Sequence, residues 1–180
     1  MAEPGLLTLG RWVRDWGRIS PQRVAIEFLG RQVTYAELDA GSERRAAALL
    51  AAGLRRGDRV ATVTGNSPAH VELLFACAKA GLLLVPLNWR LTPSDLAYQL
   101  ADAAPALVLV SAEHQQLGRA AMEKTRISPA VEVLVEVGGK AKPMRPVDAE
   151  VADEDGLLLI YTSGTTGRPK GAVLTDANCL

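Results

Sequence analysis

The chain has 180 residues, 48% of them hydrophobic, and its 20 Lys and Arg are matched by 20 Asp and Glu. That is enough apolar material for one packed domain or a large piece of one, and too much for a disordered tail. The zero formal charge removes the basic excess that a nucleic-acid partner needs, and two cysteines, Cys77 and Cys179, suffice for neither a disulfide scaffold nor a CxxC metal site.

The longest apolar runs, such as 81–87, are far too short to span a bilayer. Residues 1–10 place no cationic stretch ahead of an apolar run, so no signal peptide is visible. These features predict a cytoplasmic protein of a reducing compartment. Cys77 lies in an apolar helical run and reads as an inert core thiol.

Residues 6–17 carry Leu9, Val13 and Trp16 at helical spacing, which predicts a short amphipathic helix. Strand-like runs at 24–28 and 32–35, joined around Gly30, predict a hairpin. Thr34 followed by Glu37 forms a capping box that opens a helix running to about Gly53, with Leu38, Ala46, Leu49 and Leu50 on one side. A strand follows at 59–64. Ser67 and Pro68 then make an N-cap and first-turn pair for a helix carrying Val71, Leu74, Phe75 and Ala78. Residues 82–87 read as a buried strand, and Thr92-Pro93 starts a helix with Leu96 and Leu100 inside. A strand at 106–110, a helix at 112–125 and a strand at 131–137 continue the alternation. Continuous apolar strands separated by helices predict an α/β fold, a parallel sheet of βα units with helices on its faces. Residues 138–155 are polar and without period, and are expected to form a surface connection. Residues 157–161 read as another buried strand.

That strand runs into YTSGTTGRPKG at 161–171, which holds three glycines, four Ser or Thr hydroxyls and one lysine. Gly164 and Gly167 let the backbone take conformations that other residues avoid, so successive N–H groups can face one anion. Thr162, Ser163, Thr165 and Thr166 can donate to phosphate oxygens, or one of them can face a magnesium ion, and Lys170 adds a full charge. The pattern is not a Walker A loop, because Pro169 stands where that loop needs its second glycine. The string 172–174 is strand-like, so the loop is expected to join two strands and to bind through oriented amides rather than a helix dipole. An ordinary glycine- and threonine-rich turn would explain a TSG tripeptide; it accounts poorly for all eleven residues. His70 and His114 stand alone and are read as solvated or core histidines.

Here the sequence resembles the adenylate-forming superfamily of acyl-CoA synthetases, peptide-synthetase adenylation domains and luciferases. Residues 161–171 match that superfamily's phosphate-loop motif in full. The strings VTYAEL at 33–38, GDRV at 57–60 and AKAG at 78–81 through VPLNWRL at 85–91 resemble its earlier motifs. Asn88, in a string of the form LNWRLTP, looks more like fatty-acyl and related CoA ligases than amino-acid-activating domains, which usually carry Asp there.

The resemblance implies that 1–180 is the incomplete N-terminal portion of a large domain ending after the phosphate loop. The later acidic, ribose-binding, hinge and lysine motifs are not in the string. It implies ATP, Mg2+ and coenzyme A as cofactor and co-substrates, and a small carboxylic acid, expected to be a fatty acid, as substrate. Thr162, Ser163, Gly164, Thr165, Thr166, Gly167 and Lys170 are the expected phosphate contacts, with Lys170 catalytic and Thr162 on the metal side. The piece alone is expected to be inactive and prone to self-association, and the oligomeric state stays open. An amino-acid-activating domain and a non-catalytic binding module are the alternatives. One departure is Asp176, where relatives often have His in a string such as LTHxN; it puts in doubt any contact that a histidine would make near the substrate.

Overall fold

In a computed structural model the described residues are 8–125, 127–134, 147, 150–163 and 168–179. The helix α1 (Leu9–Ile19) starts at Thr8, whose hydroxyl accepts the Arg11 N–H, and leads into a hairpin of β1 (Val24–Phe28) and β2 (Arg31–Thr34). The helix α2 (Tyr35–Ala51) opens on the expected capping box: Glu37 N–H donates to Thr34 Oγ1 at 3.3 Å, and Thr34 N–H to Glu37 Oε2 at 2.8 Å.

Four parallel strands follow, β3 (Arg59–Val63), β4 (Leu83–Leu87), β5 (Leu107–Val110) and β6 (Ala130–Val133). They are joined by α3 (Pro68–Ala80), α4 (Pro93–Ala103) and α5 (Gln115–Met122), the last preceded by a 3-10 turn at Ala112–His114. Ser67 and Thr92 cap α3 and α4 through their hydroxyls, each with Pro in the first turn. The chain closes with β7 (Gly156–Thr162), β8 (Lys170–Thr175) and the short α6 (Asp176–Cys179). The sheet order is β6-β5-β3-β4-β7-β8, parallel except for β8, which runs antiparallel to β7.

Strand alternation sends the side chains to two cores. Val60, Leu84, Leu107 and Leu109 pack with Ala46, Leu73 and Cys77 beneath α2 and α3, whereas Ala61, Val63, Val85 and Val108 pack with Leu96, Leu100 and Ala121 beneath α4 and α5. Both faces are therefore covered, as a parallel sheet requires. Cys77 is fully buried in the first core, and burial pushes its thiol up to about 12, so it is inert.

Two expectations need correction. The apolar stripe read on α3 is too narrow: Leu73, Ala76, Cys77 and Ala80 are also buried, and so are Glu72 and Lys79. The reason is that α2 packs beside α3 and α1 packs against both. Lys79 Nζ sits 2.5 Å from Asp39 Oδ1 and 2.9 Å from Glu43 Oε2, and Arg45 Nε sits 3.0 Å from Glu72 Oε2. The close α2–α3 approach depends on Gly41, where an added Cβ would lie 2.7 Å from the Glu72 carboxylate. Second, the 138–155 connection lies mostly outside the described residues, but its described end is not superficial: Val151 and Ala152 are buried. Asp155 beside them meets Arg56 at 2.6 Å. The expected strand at 131–137 begins at Ala130 and is described only as far as Val133. Among the described residues no helix is long and apolar enough to cross a membrane.

Candidate active site

Because β3, β4, β5 and β7 are parallel, their carboxyl ends share one edge of the sheet. The connection after β3 carries α3 to one face, and the connection after β4 carries α4 to the other. Chain reversal of this kind opens a crevice outside the carboxyl ends, where α/β proteins bind ligands.

The glycine-rich string lies on that edge. β7 ends at Thr162, β8 starts at Lys170, and the two residues are partners in the antiparallel register. Directly opposed residues present their side chains on the same face, about 5 Å apart at Cβ, so a hydroxyl and an ammonium flank the mouth of the loop together. Thr162, Ser163 and Lys170 are all exposed. Gly164, Thr165, Thr166 and Gly167 lie outside the described residues. The strand–loop–strand context predicted from the sequence is what the structure has; the segment after the loop is β8, not a helix.

The legs of this hairpin rest on α4. Tyr161 Oη donates to Asp102 Oδ2 at 2.6 Å and lies 3.2 Å from the Gln99 carbonyl oxygen. Burial, reinforced by the bond to Asp102, raises the Tyr161 pKa well above its ordinary value, so this hydroxyl stays protonated. Tyr98 Oη donates to the Pro169 carbonyl at 3.3 Å, and the Arg168 guanidinium stands 5.6 Å from the Tyr98 ring centroid. The sequence reading missed Tyr98 and Asp102. Their spacing of one helical turn on α4 was the available signal.

A second cluster stands on the same edge after β4 and β5. Asn88 Oδ1 accepts the Arg90 N–H at 3.0 Å, an Asx turn that leads the chain off β4. The Arg90 guanidinium lies 4.0 Å from the Trp89 ring, and Trp89 packs 4.9 Å from the His114 ring. Neither histidine stands alone, contrary to expectation. His114 Nδ1 is 2.7 Å from Ser111 Oγ, and His70 Nδ1 is 2.9 Å from Thr64 Oγ1. Burial lowers the His70 pKa, so His70 is neutral. Ser111 and Glu113 both approach the same ring nitrogen of His114, at 2.7 and 3.5 Å. A nucleophile relay needs the acid on the opposite nitrogen, so these residues do not form one.

Among the described residues no group of three His, Cys, Asp or Glu could hold a metal ion. A hydroxyl such as that of Thr162 fits one position around magnesium, an ion that keeps water and phosphate oxygens as its other ligands. Asp176, by contrast, is not near the loop. It follows β8 at the amino edge of the sheet, is buried, and accepts the Leu9 N–H at the start of α1 at 2.7 Å. The departure from LTHxN therefore falls on a residue that holds the fold, away from the carboxyl edge.

Comparison with known proteins agrees with this geometry. The family described as AMP-binding enzyme matches residues 13–180. The chain belongs to this family. A feruloyl-CoA synthase from Amycolatopsis sp is 43% identical over 172 residues, covering 94% of this chain and 34% of its own length. A fatty acyl CoA synthetase of Mycobacterium tuberculosis superposes with a TM-score of 0.81 at 26% identity, covering 97% of this chain and 36% of that one. ATP-bound MatB from Rhodopseudomonas palustris superposes with a TM-score of 0.73 at 32% identity, covering 91% of this chain and 35% of that one. The chain thus spans about a third of the length of the curated relatives that it matches. Within that length lie the parallel sheet and the glycine-rich hairpin of β7 and β8.

Proposed function

We propose that these residues form the phosphate-handling part of an enzyme that activates a carboxylic acid with ATP and passes the acyl group to coenzyme A. The single observation behind the reading is the hairpin itself: a glycine-rich loop whose mouth pairs Thr162 with Lys170 at the ligand-binding edge of a parallel sheet. In the first step a carboxylate oxygen attacks the α-phosphorus, the bond to the β-phosphate oxygen breaks, and pyrophosphate leaves. In the second, the thiol sulfur adds to the acyl carbonyl and AMP departs, while the thiol proton passes to solvent.

The loop acts in the first step. Thr162, Ser163, Gly164, Thr165, Thr166 and Gly167 hold the β- and γ-phosphates, and Lys170 neutralises charge that develops on the leaving pyrophosphate. The Thr162 hydroxyl would help to hold a magnesium ion, which would supply further neutralisation of phosphate charge. ATP bound to MatB and the CoA-thioester product named for the feruloyl relative support both co-substrates.

For the acid we propose a fatty or aryl-alkenoic chain, since relatives of both kinds match over almost all of these residues. Asn88 disfavours the amino-acid-activating alternative, whose domains usually carry Asp in that string. A need for cellular ATP and coenzyme A favours the cytoplasm. Residues 1–180 by themselves lack the acidic, ribose-binding and lysine motifs, and we expect them not to form acyl-adenylate unaided.

The test is acid-dependent exchange of labelled pyrophosphate into ATP by the full-length protein, with ferulate, octanoate, palmitate and a set of amino acids. Exchange with an acyl or aryl acid and none with amino acids is expected. Exchange with an amino acid alone would replace this reading by the adenylation-domain one.

A further inference from the structure

Both legs of the phosphate-loop hairpin are fastened to one helix by tyrosine hydroxyls. The outgoing leg is held through Tyr161, which donates to Asp102 on α4 at 2.6 Å. The returning leg is held through the Pro169 carbonyl, which accepts from Tyr98 on α4 at 3.3 Å. Tyr98 and Asp102 are four residues apart on a helix, so they lie one above the other on a single face. Pro169 has no N–H to offer, and its carbonyl is the one backbone handle on that residue. The Arg168 guanidinium lies against the Tyr98 ring at 5.6 Å, within cation–π reach, so the same side chain grips two successive residues of the returning leg.

We infer that Tyr98, Tyr161 and Asp102 are positioning residues for the phosphate loop, and that α4 sets the pose in which Thr162 and Lys170 meet the nucleotide. None of the three is placed among the phosphate contacts. The inference rests on the phosphate reading of the loop given above. Its physical basis is entropic. A glycine-rich loop loses much backbone freedom when its amides converge on one anion, and legs fixed beforehand lower that cost at the moment of binding. The hairpin ladder fixes the legs to each other, and the tyrosine hydroxyls add directional bonds to α4 beyond the apolar packing of Leu159 and the Tyr161 ring. The Tyr161–Asp102 bond, at 2.6 Å against 3.3 Å, is the shorter and the stronger of the two. Its donor keeps its proton at neutral pH, because burial raises the Tyr161 pKa.

The experiment uses the full-length protein with Tyr98→Phe, Tyr161→Phe and the double variant, which keep both rings and remove only hydroxyls. Amide hydrogen exchange over 157–163 and 168–175 reports the anchoring. Each single variant is expected to exchange roughly three- to tenfold faster there, as loss of one hydrogen bond predicts, with α3 and β3 unchanged. Pyrophosphate exchange and thioester formation from supplied acyl-adenylate report the positioning. The first should fall about tenfold in kcat/KM for ATP in Tyr161→Phe, and the second should not change. Unchanged amide exchange in the hairpin overturns the anchoring. Equal losses in both half-reactions overturn the positioning role, since a general structural defect would produce them. A parent protein that exchanges no pyrophosphate with any acid overturns the phosphate reading, and this role with it, whatever the amide exchange shows.

Discussion

Asp176 Oδ1 accepts the backbone N–H of Leu9 at 2.7 Å, joining residues 167 positions apart. The acceptor comes from the residue that follows the last strand, and the donor is the first residue of the first helix. Burial pushes the Asp176 carboxyl up from 3.8 to about 6; the Leu9 N–H works against the shift, and Asp155 and Asp153 add to it.

This gives a pH prediction. The folded chain holds the Asp176 proton more tightly than the unfolded chain, so the ionised form costs stability above about pH 6, and the cost disappears as pH falls toward about 4. Asp176→Asn keeps an oxygen for the Leu9 N–H and removes the charge. Its urea midpoint should exceed that of the parent at pH 8 and approach it near pH 4. An equal difference at both pH values would mean that the carboxylate is not the cause.

Lys170→Ala in the full-length protein should slow adenylation by about a hundredfold or more, since one charged donor to a developing anion is worth roughly 2–4 kcal/mol. Lys170→Arg should restore only part of the rate, because a planar fork replaces a point charge. Single-turnover rates started from ATP plus acid, and separately from acyl-adenylate, decide between roles. Equal losses would mean that Lys170 maintains the hairpin rather than the phosphates.

The Lys79 ammonium is fully buried between Asp39 and Glu43. Burial alone would raise the Glu43 pKa; Lys79, the Val147 N–H and Arg14 outweigh it and hold that carboxyl below its usual range. Lys79→Met takes the nearest cation from the buried Glu43 carboxylate, leaving it Arg14 and the Val147 N–H, and should destabilise the chain by up to about 3–5 kcal/mol. Glu43 contributes stability above its unfolded pKa that is lost as pH falls through its lower folded one, so the deficit of Lys79→Met should shrink on acidification to about pH 3. Denaturation midpoints at neutral and acid pH test both statements. A deficit of the same size at both would assign the effect to packing.

Gly41→Ala should cost about 1–3 kcal/mol, because its new methyl would displace the buried Glu72 carboxylate from Arg45. The double variant Gly41→Ala with Glu72→Gln should lose less than the sum of the two single changes. Strict additivity in thermal unfolding would show that Gly41 matters for helix α2 alone.

The elements that could be read from the sequence were those written in local code. Thr34 with Glu37, Ser67 with Pro68 and Thr92 with Pro93 each mark a helix start within four residues, and every one is a cap in the structure. The loop was legible for the same reason: its glycines, hydroxyls and lysine are contiguous. What escaped was set by pairs far apart in sequence. Lys79 and Glu72 look like a solvated stripe on α3 until α2 is laid across them with Asp39, Glu43 and Arg45. Tyr98 and Asp102 look like an ordinary polar helix face until the hairpin lands on it. His114 acquires its neighbour Trp89 only through the register of β4 and β5 on either side of β3. Periodicity records which residues face inward and carries no information about which partner will be waiting there.

The sheet order has a consequence for biosynthesis. β4 pairs on one side with β3, made just before it, and on the other with β7, which leaves the ribosome only after α4, β5, α5 and β6. During translation the β6-β5-β3-β4 platform and its helices can therefore condense while one edge of β4 still faces solvent, and α4 is already in place when β7 arrives. The glycine-rich hairpin of β7 and β8 is thus made after α4, the helix that receives it. Until β7 is made, that edge of β4 presents unpaired backbone groups, the kind of strand edge to which another chain can add.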